Sequence, residues 1–185
     1  MRAAQVEASR NVWAKVVESV GRLVPEGRWL DVGAGSGMLL ALARECGYEP
    51  AAVEARESTA AALRARGFEV ASSMGLLSGS YEVVSLCDVL EHVPRPRDFL
   101  ADAAALVATG GCLFLSSPNR QSLAWEALDE ADVNPYWSEI EHFHNFSYRQ
   151  IRGELGRLGF WPVTCAVSNR YRLGMDVLAP RVHHR

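Results

Sequence analysis

Three groups of residues in this 185-residue chain have the types and spacing that chemistry needs. The first is Asp31-Val32-Gly33-Ala34-Gly35-Ser36-Gly37, where an apolar run ends on a carboxylate and passes through G-x-G-x-G into the helical pattern Met38-Leu39-Leu40-Ala41-Leu42-Ala43. Glycines there let the backbone turn sharply and approach a ligand closely, and the helix start behind them offers unpaired N–H groups. Glu54 ends the next apolar run, roughly twenty residues on, where a carboxylate accepts hydrogen bonds from both hydroxyls of a ribose. The turn and Glu54 together define a nucleoside pocket. The second group is Asp88-Val89-Leu90-Glu91-His92, and the third is Glu141-His142-Phe143-His144. Histidine titrates near neutral pH, so His92, His142 and His144 are the candidates for a general base that removes a proton from an acceptor.

These residues need a scaffold that brings strand ends together. Short apolar runs alternate with longer helical patterns, the mark of βαβ units and a mainly parallel sheet. The strands expected are Trp29 to Val32, Ala51 to Glu54, Glu69 to Ala71, Val83 to Cys87 and Cys112 to Ser116, with a last pair in Trp161 to Ser168 and Tyr171 to Leu178. Helices are expected over Val6 to Val24, Met38 to Cys46, Ser58 to Arg66, Pro96 to Val107 and Tyr148 to Leu158. Ser147 and Gln150 form an S-x-x-Q capping box ahead of the last of these. Gln121 to Phe146 is long, aromatic and weakly periodic, as lids and substrate loops are. Trp125, Tyr136, Trp137 and Phe143 are its candidates for lining an apolar acceptor pocket.

With its motifs in register, the chain resembles the class I S-adenosylmethionine (SAM)-dependent methyltransferases, in the subgroup related to ubiquinone-biosynthesis O-methyltransferases. Four blocks carry the resemblance: Trp29 to Gly37, Ala52-Val53-Glu54, Cys87 to Pro94, and Gly110 to Asn119. It implies an α/β fold, Rossmann-like, with a seven-stranded sheet, helices on both faces and the last strand antiparallel. It also implies methyl transfer from SAM to an oxygen or nitrogen of a small-molecule acceptor. Gly33 and Gly35 then meet the methionyl portion by backbone, with Asp31, Ala34 and Gly37 in the same turn. Glu54 meets the ribose with Ala55 beside it, and Asp88 and Val89 stand near the methionine moiety. Related sequences often place an acidic residue after the third strand to meet the adenine amino group; here Ser73 and Met74 stand there. Asp88-x-x-Glu91-His92 resembles an E-x-x-E-H cluster with which such enzymes hold a divalent ion, Mg²⁺ or Mn²⁺, near the acceptor hydroxyl, and Asn119 could add an oxygen.

Composition bounds the rest. A chain of this length with 49% hydrophobic residues makes one core, so residues 1–185 are expected to form a single domain, with 1–26 as an N-terminal helix and 121–146 as the lid. The net charge of −3 gives no footprint for nucleic acid. Cys46, Cys87, Cys112 and Cys165 have no C-x-x-C spacing, and no apolar stretch is long enough to span a membrane. A cytoplasmic monomer or homodimer is the expectation. Two rivals stand: an NAD(P)-binding oxidoreductase, disfavoured by the glycine spacing and by the lack of a Tyr-x-x-x-Lys pair, and a SAM-binding protein without catalysis. His183 and His184 sit in the basic C-terminus and are set aside.

Overall fold

The computed structural model describes residues 3–166 and 175–180. Its sheet has the order β3-β2-β1-β4-β5-β7-β6, built from β1 (Arg28–Val32), β2 (Glu49–Val53), β3 (Glu69–Ala71), β4 (Tyr81–Cys87), β5 (Val107–Ser117), β6 (Thr164–Ala166) and β7 (Met175–Pro180). The first five strands run parallel to one another, and β7 lies antiparallel to both β5 and β6. The order reverses beside β1, which puts the carboxyl ends of β1 and β4 at the crevice where ligands enter such sheets.

Alternation along the strands explains two buried faces. Trp29, Val83, Cys112 and Phe114 pack against Val16, Val17 and Val20 of α1 (Ala3–Gly21) and against Leu39 and Leu42 of α2 (Met38–Glu45). Leu30, Val32, Val84, Leu86, Leu113 and Leu115 point the other way. They meet Leu100 and Ala103 of α4 (Pro96–Ala105) and Ile151 and Leu155 of α6 (Tyr148–Arg157). Between β2 and β3, α3 (Glu57–Ala65) adds Leu63 to a cluster with Leu40, Ala52 and Phe68.

Several expected boundaries move. The helix predicted to run to Val107 stops at Ala105, and Val107 opens β5 opposite Tyr81. The register then shifts so that Cys112 faces Val83, which leaves the Thr109-Gly110-Gly111 stretch as a bulge. The sixth strand begins at Thr164 and not at Trp161, the seventh runs on to Pro180, and the parts of them expected within 167–174 lie outside the described residues, as do His183 and His184. The capping box forms: Ser147 Oγ accepts from the Gln150 N–H while the Gln150 side chain accepts from the Ser147 N–H at 2.9 Å.

The largest correction concerns the stretch Gln121 to Phe146, which is more ordered than its weak periodicity suggests. It holds α5 (Leu123–Glu130) and a single 3-10 turn at Pro135–Trp137. Trp125 and Tyr136 stack at 4.8 Å and are 2% and 6% exposed, so they form the insertion's own small core. Trp137 and Phe143, by contrast, are exposed. The two ends of the insertion meet where the Arg120 N–H donates to Phe146 O at 2.9 Å.

Candidate active site

The glycine turn closes as its sequence requires. Gly33, Gly35 and Gly37 have φ of 78°, 51° and 70°, the left-handed region open to glycine. A Cβ on Gly33 would stand 2.5 Å from Val89 Cγ2, and one on Gly37 would collide with Leu63 Cδ2. Two backbone N–H groups, those of Gly33 and Ala34, bond to Val53 O, tying the turn to the end of β2. Glu54 joins the two motifs: its Oε2 accepts from the Gly35 N–H at 3.1 Å and its Oε1 from the Arg56 N–H at 2.8 Å. The carboxylate is therefore fixed beside the turn.

Asp31 is 3% exposed and sits one residue from the end of β1. Burial pushes its carboxyl up to about 7, against the lowering effect of a hydrogen bond from Ser85. Asp88, just past β4, adopts φ of 54°, a strained value for a residue other than glycine of the kind that collects at functional sites. Its Oδ1 accepts from Ser116 Oγ at 2.9 Å. Ala55 follows Glu54, and Val89 covers Gly33. Ser73 leads into a 3-10 turn at Met74–Leu76, and Met74 is buried in the core cluster beneath the strand ends.

The chemistry-bearing side chains converge differently from their spacing. Glu91, His92 and His142 each bring one ligating atom within 4.8 Å of the others. Asp88, the expected partner of Glu91 and His92, does not belong to that group among the described residues; His142 from the insertion takes its place. Asn119 is also otherwise engaged, because its Oδ1 accepts from the Gln121 and Tyr148 N–H groups. Insertion and strand end are joined by the Phe143 and His144 N–H groups, which both donate to Glu91 O. His142 is held by ring contacts: its ring meets His92 edge-on at 4.6 Å and stacks on Tyr136 at 6.0 Å.

Electrostatics single out two of these groups. Glu91 is 1% exposed; burial raises its carboxyl to about 7, its Oε2 accepts from Ser117 Oγ, and its Oε1 has no partner among the described residues. His142 pairs through Nε2 with Glu139 at 2.9 Å, its side chain is 7% exposed, and its buried Nδ1 has no partner among the described residues. Burial lowers its pKa, so the imidazole is neutral at pH 7 and able to accept a proton. His92 Nδ1 lies 3.0 Å from Glu141 O, which leaves Nε2 for an acceptor. His144 Nε2 is buried without a partner among the described residues, and its ring contact is with Phe146, away from the three-residue group. In front of His92 lies an open cleft of ≈ 530 Å³, lined also by Arg56, Ile140, Glu141 and Phe143.

A glycine turn held by the Glu54 carboxylate and a buried acid-histidine group follow β1 and β4, and the chain matches the model of the methyltransferase domain family over residues 5–164. The chain belongs to that family. It is 35% identical over 107 residues to the ubiquinone biosynthesis O-methyltransferase of Cronobacter sakazakii, covering 52% of this chain and 44% of that protein. The namesake from Caulobacter sp. is 37% identical over 112 residues, covering 54% and 44%. The chain thus matches less than half the length of these relatives. Among solved structures, the SAH-bound magnesium protoporphyrin IX methyltransferase of Synechocystis shares the fold with a TM-score of 0.72 at 21% identity, over 96% of this chain and 87% of that one. A SAM-dependent methyltransferase from Archaeoglobus fulgidus gives 0.69 at 19% identity, over 91% and 94%. This methyltransferase domain has no helix long and apolar enough to cross a membrane among its described residues.

Sequence reasoning missed Ser85, Ser116 and Ser117, which hold the carboxylates of Asp31, Asp88 and Glu91. Each is a polar residue inside or closing an otherwise apolar strand, which was the available signal.

Proposed function

We propose that this domain passes the methyl group of SAM to an oxygen of a small-molecule acceptor held in the cleft before His92. The observation that carries this reading is the convergence of the buried His142 with Glu91 and His92 just past β4, in a chain whose glycine turn holds Glu54 through the Gly35 N–H. The names of the relatives favour oxygen over nitrogen as acceptor atom. SAM supplies an activated methyl carbon and a thioether leaving group, so the protein's task is alignment and proton removal. Gly33 and Gly35 present backbone to the methionyl portion, Glu54 accepts from the ribose hydroxyls, and Asp31 and Asp88 face the cationic end. Ser73 and Met74 lie on the adenine side. His142 takes the acceptor proton, with Glu139 on its other nitrogen stabilising the imidazolium that forms.

SAM and its demethylated product should bind and NADH should not, because the turn offers no pyrophosphate cradle. Glu54→Ala is expected to weaken SAM by about 1 to 3 kcal/mol, the value of charge-assisted hydrogen bonds to a diol. Calorimetry reads both; NADH binding with SAM silent would revive the oxidoreductase rival. Labelled SAM incubated with catechols, phenols and amines then separates an enzyme from a SAM-binding protein without catalysis.

A divalent cation is the second reading, favoured by the partnerless Glu91 Oε1 and His142 Nδ1 within one acid-histidine group. Glu91, His92 and His142 are the residues that would hold Mg²⁺ or Mn²⁺, and Asp88 is replaced in that set. When bound, the ion would lower the pKa of an acceptor hydroxyl. The insertion closing this side is expected to order further over bound cofactor and acceptor. Hydrogen exchange in 121–146 should slow when SAM and acceptor are added, and exchange already slow and unchanged by them would make the insertion fixed packing.

A further inference from the structure

A buried hydrogen-bond relay joins β1 to β4. Trp29 and Asp31 lie two residues apart on one face of β1, and Ser85 of β4 is the register partner of Asp31. Trp29 Nε1 is 2.9 Å from Ser85 Oγ, and Ser85 Oγ is 2.6 Å from Asp31 Oδ1. Trp29 and Ser85 are fully buried and Asp31 nearly so. The direction of this chain is fixed by chemistry. An indole N–H only donates, so Ser85 must accept from it, and the single hydroxyl hydrogen is then free for Asp31. Leu30 O, the other acceptor within reach of that hydrogen among the described residues, is farther off at 3.4 Å. The relay therefore runs Trp29 to Ser85 to Asp31 and leaves Asp31 Oδ2 as the oxygen available to a ligand.

We propose that Ser85, oriented by Trp29, is a positioning residue that holds Asp31 as an ionised, correctly turned carboxylate for the cationic methionyl end of the cofactor. This rests on the cofactor reading above. A carboxylate buried this deeply favours its neutral form unless donors and a cation compensate. Of the groups around Asp31, Glu54 beyond the end of β2 adds a negative charge that opposes ionisation. The same face of β4 carries Ser85 and Cys87, and the buried side chains of α1 and α2 against this face are Val16, Val17, Val20, Leu39, Leu42 and Ala43, none charged. Ser85 is thus the one neutral side-chain donor acting on Asp31 among the described residues, and its loss should cost methionyl recognition while sparing the nucleoside end.

The test compares SAM with adenosine, which lacks the amino-acid arm, by calorimetry between pH 6 and 9. In the unaltered protein the affinity for SAM relative to adenosine should rise with pH as Asp31 ionises. Ser85→Ala should weaken SAM about 10- to 100-fold at pH 7, the worth of one hydrogen bond to a charged group, with adenosine changed less than about twofold. The SAM loss should shrink towards pH 9, and Ser85→Thr should restore it. Trp29→Phe, which keeps an aromatic ring in the core, should act in the same direction with a smaller factor, so the proposal does not hang on one variant. Equal losses for SAM and adenosine with no pH dependence would overturn the relay and make Ser85 packing only. Binding of neither ligand to the unaltered protein would overturn the cofactor reading and the proposal with it.

Discussion

His142→Ala is expected to lower kcat by about 10²- to 10⁴-fold while leaving SAM affinity within about twofold, the signature of a lost general base. The residue stands on the insertion beside Glu91 and His92, its Nδ1 buried and without a partner among the described residues. His92→Ala should cost less, because its Nδ1 is engaged with Glu141 O and its ring serves as the edge against which His142 packs. His144→Ala should cost least, since His144 stands outside the group that Glu91, His92 and His142 form. Assaying each variant after chelation, with and without added Mn²⁺, separates the two readings of this group. If the stripped protein keeps full activity, His142 acts as a base and Glu91 as its scaffold. If activity is lost on stripping and returns with the ion, and Glu91→Gln abolishes that return, the group is a metal centre. A ranking in which His144 matters most would remove His142 from the chemistry.

Local signals and long-range packing explain which parts of this site could be read in advance. The cofactor side is written within a few residues: a carboxylate-ended strand, glycines and a helix start are contiguous, and steric rules force the left-handed turn whatever the rest of the chain does. Glu54 is legible for the same reason, because it ends the neighbouring strand. The acceptor side depends on where an insertion folds. Asp88 stands three residues before Glu91 in sequence, yet it bonds to Ser116 and stays outside the tight group, acting on Glu91 and His142 only through its charge, while His142 enters from some fifty positions later. What places His142 is the stacking of Trp125, Tyr136 and His142, and aromatics in a weakly periodic segment do not announce whether they will pack on one another or line a pocket. Val107 shows the same limit on the fold side. It continues the helical apolar pattern of Pro96 to Ala105, but pairing with Tyr81 of β4 outweighs helical periodicity.

The ligand-free protein is expected to lose stability as pH rises from about 4.5 to about 7, the reverse of the usual acid-side behaviour. Asp31 and Glu91 are both raised to about 7, in each case first by burial. In the unfolded chain their carboxyls titrate near ordinary values of about 4, so across this window the native state holds two protons that the unfolded state has released. With more protons bound to the native state, the slope of unfolding free energy against pH is negative until the folded pKa is passed. A shift of roughly three units for each group gives about 3 to 4 kcal/mol apiece as an upper figure. His142 acts in the opposite sense, since its lowered pKa makes the native state bind fewer protons near pH 6, but it is one group against two. Chemical denaturation at pH 5, 6 and 7 measures the decline. Asp31→Asn, which keeps a neutral polar group against Ser85, should remove about half of it, and saturating SAM should offset it most at pH 7 and above, where Asp31 must ionise to meet the cationic end. A denaturation midpoint that is level or rising from pH 5 to 7 would mean that both carboxyls are solvated more than their burial implies, and that neither stores the proton on which this coupling between cofactor charge and stability depends.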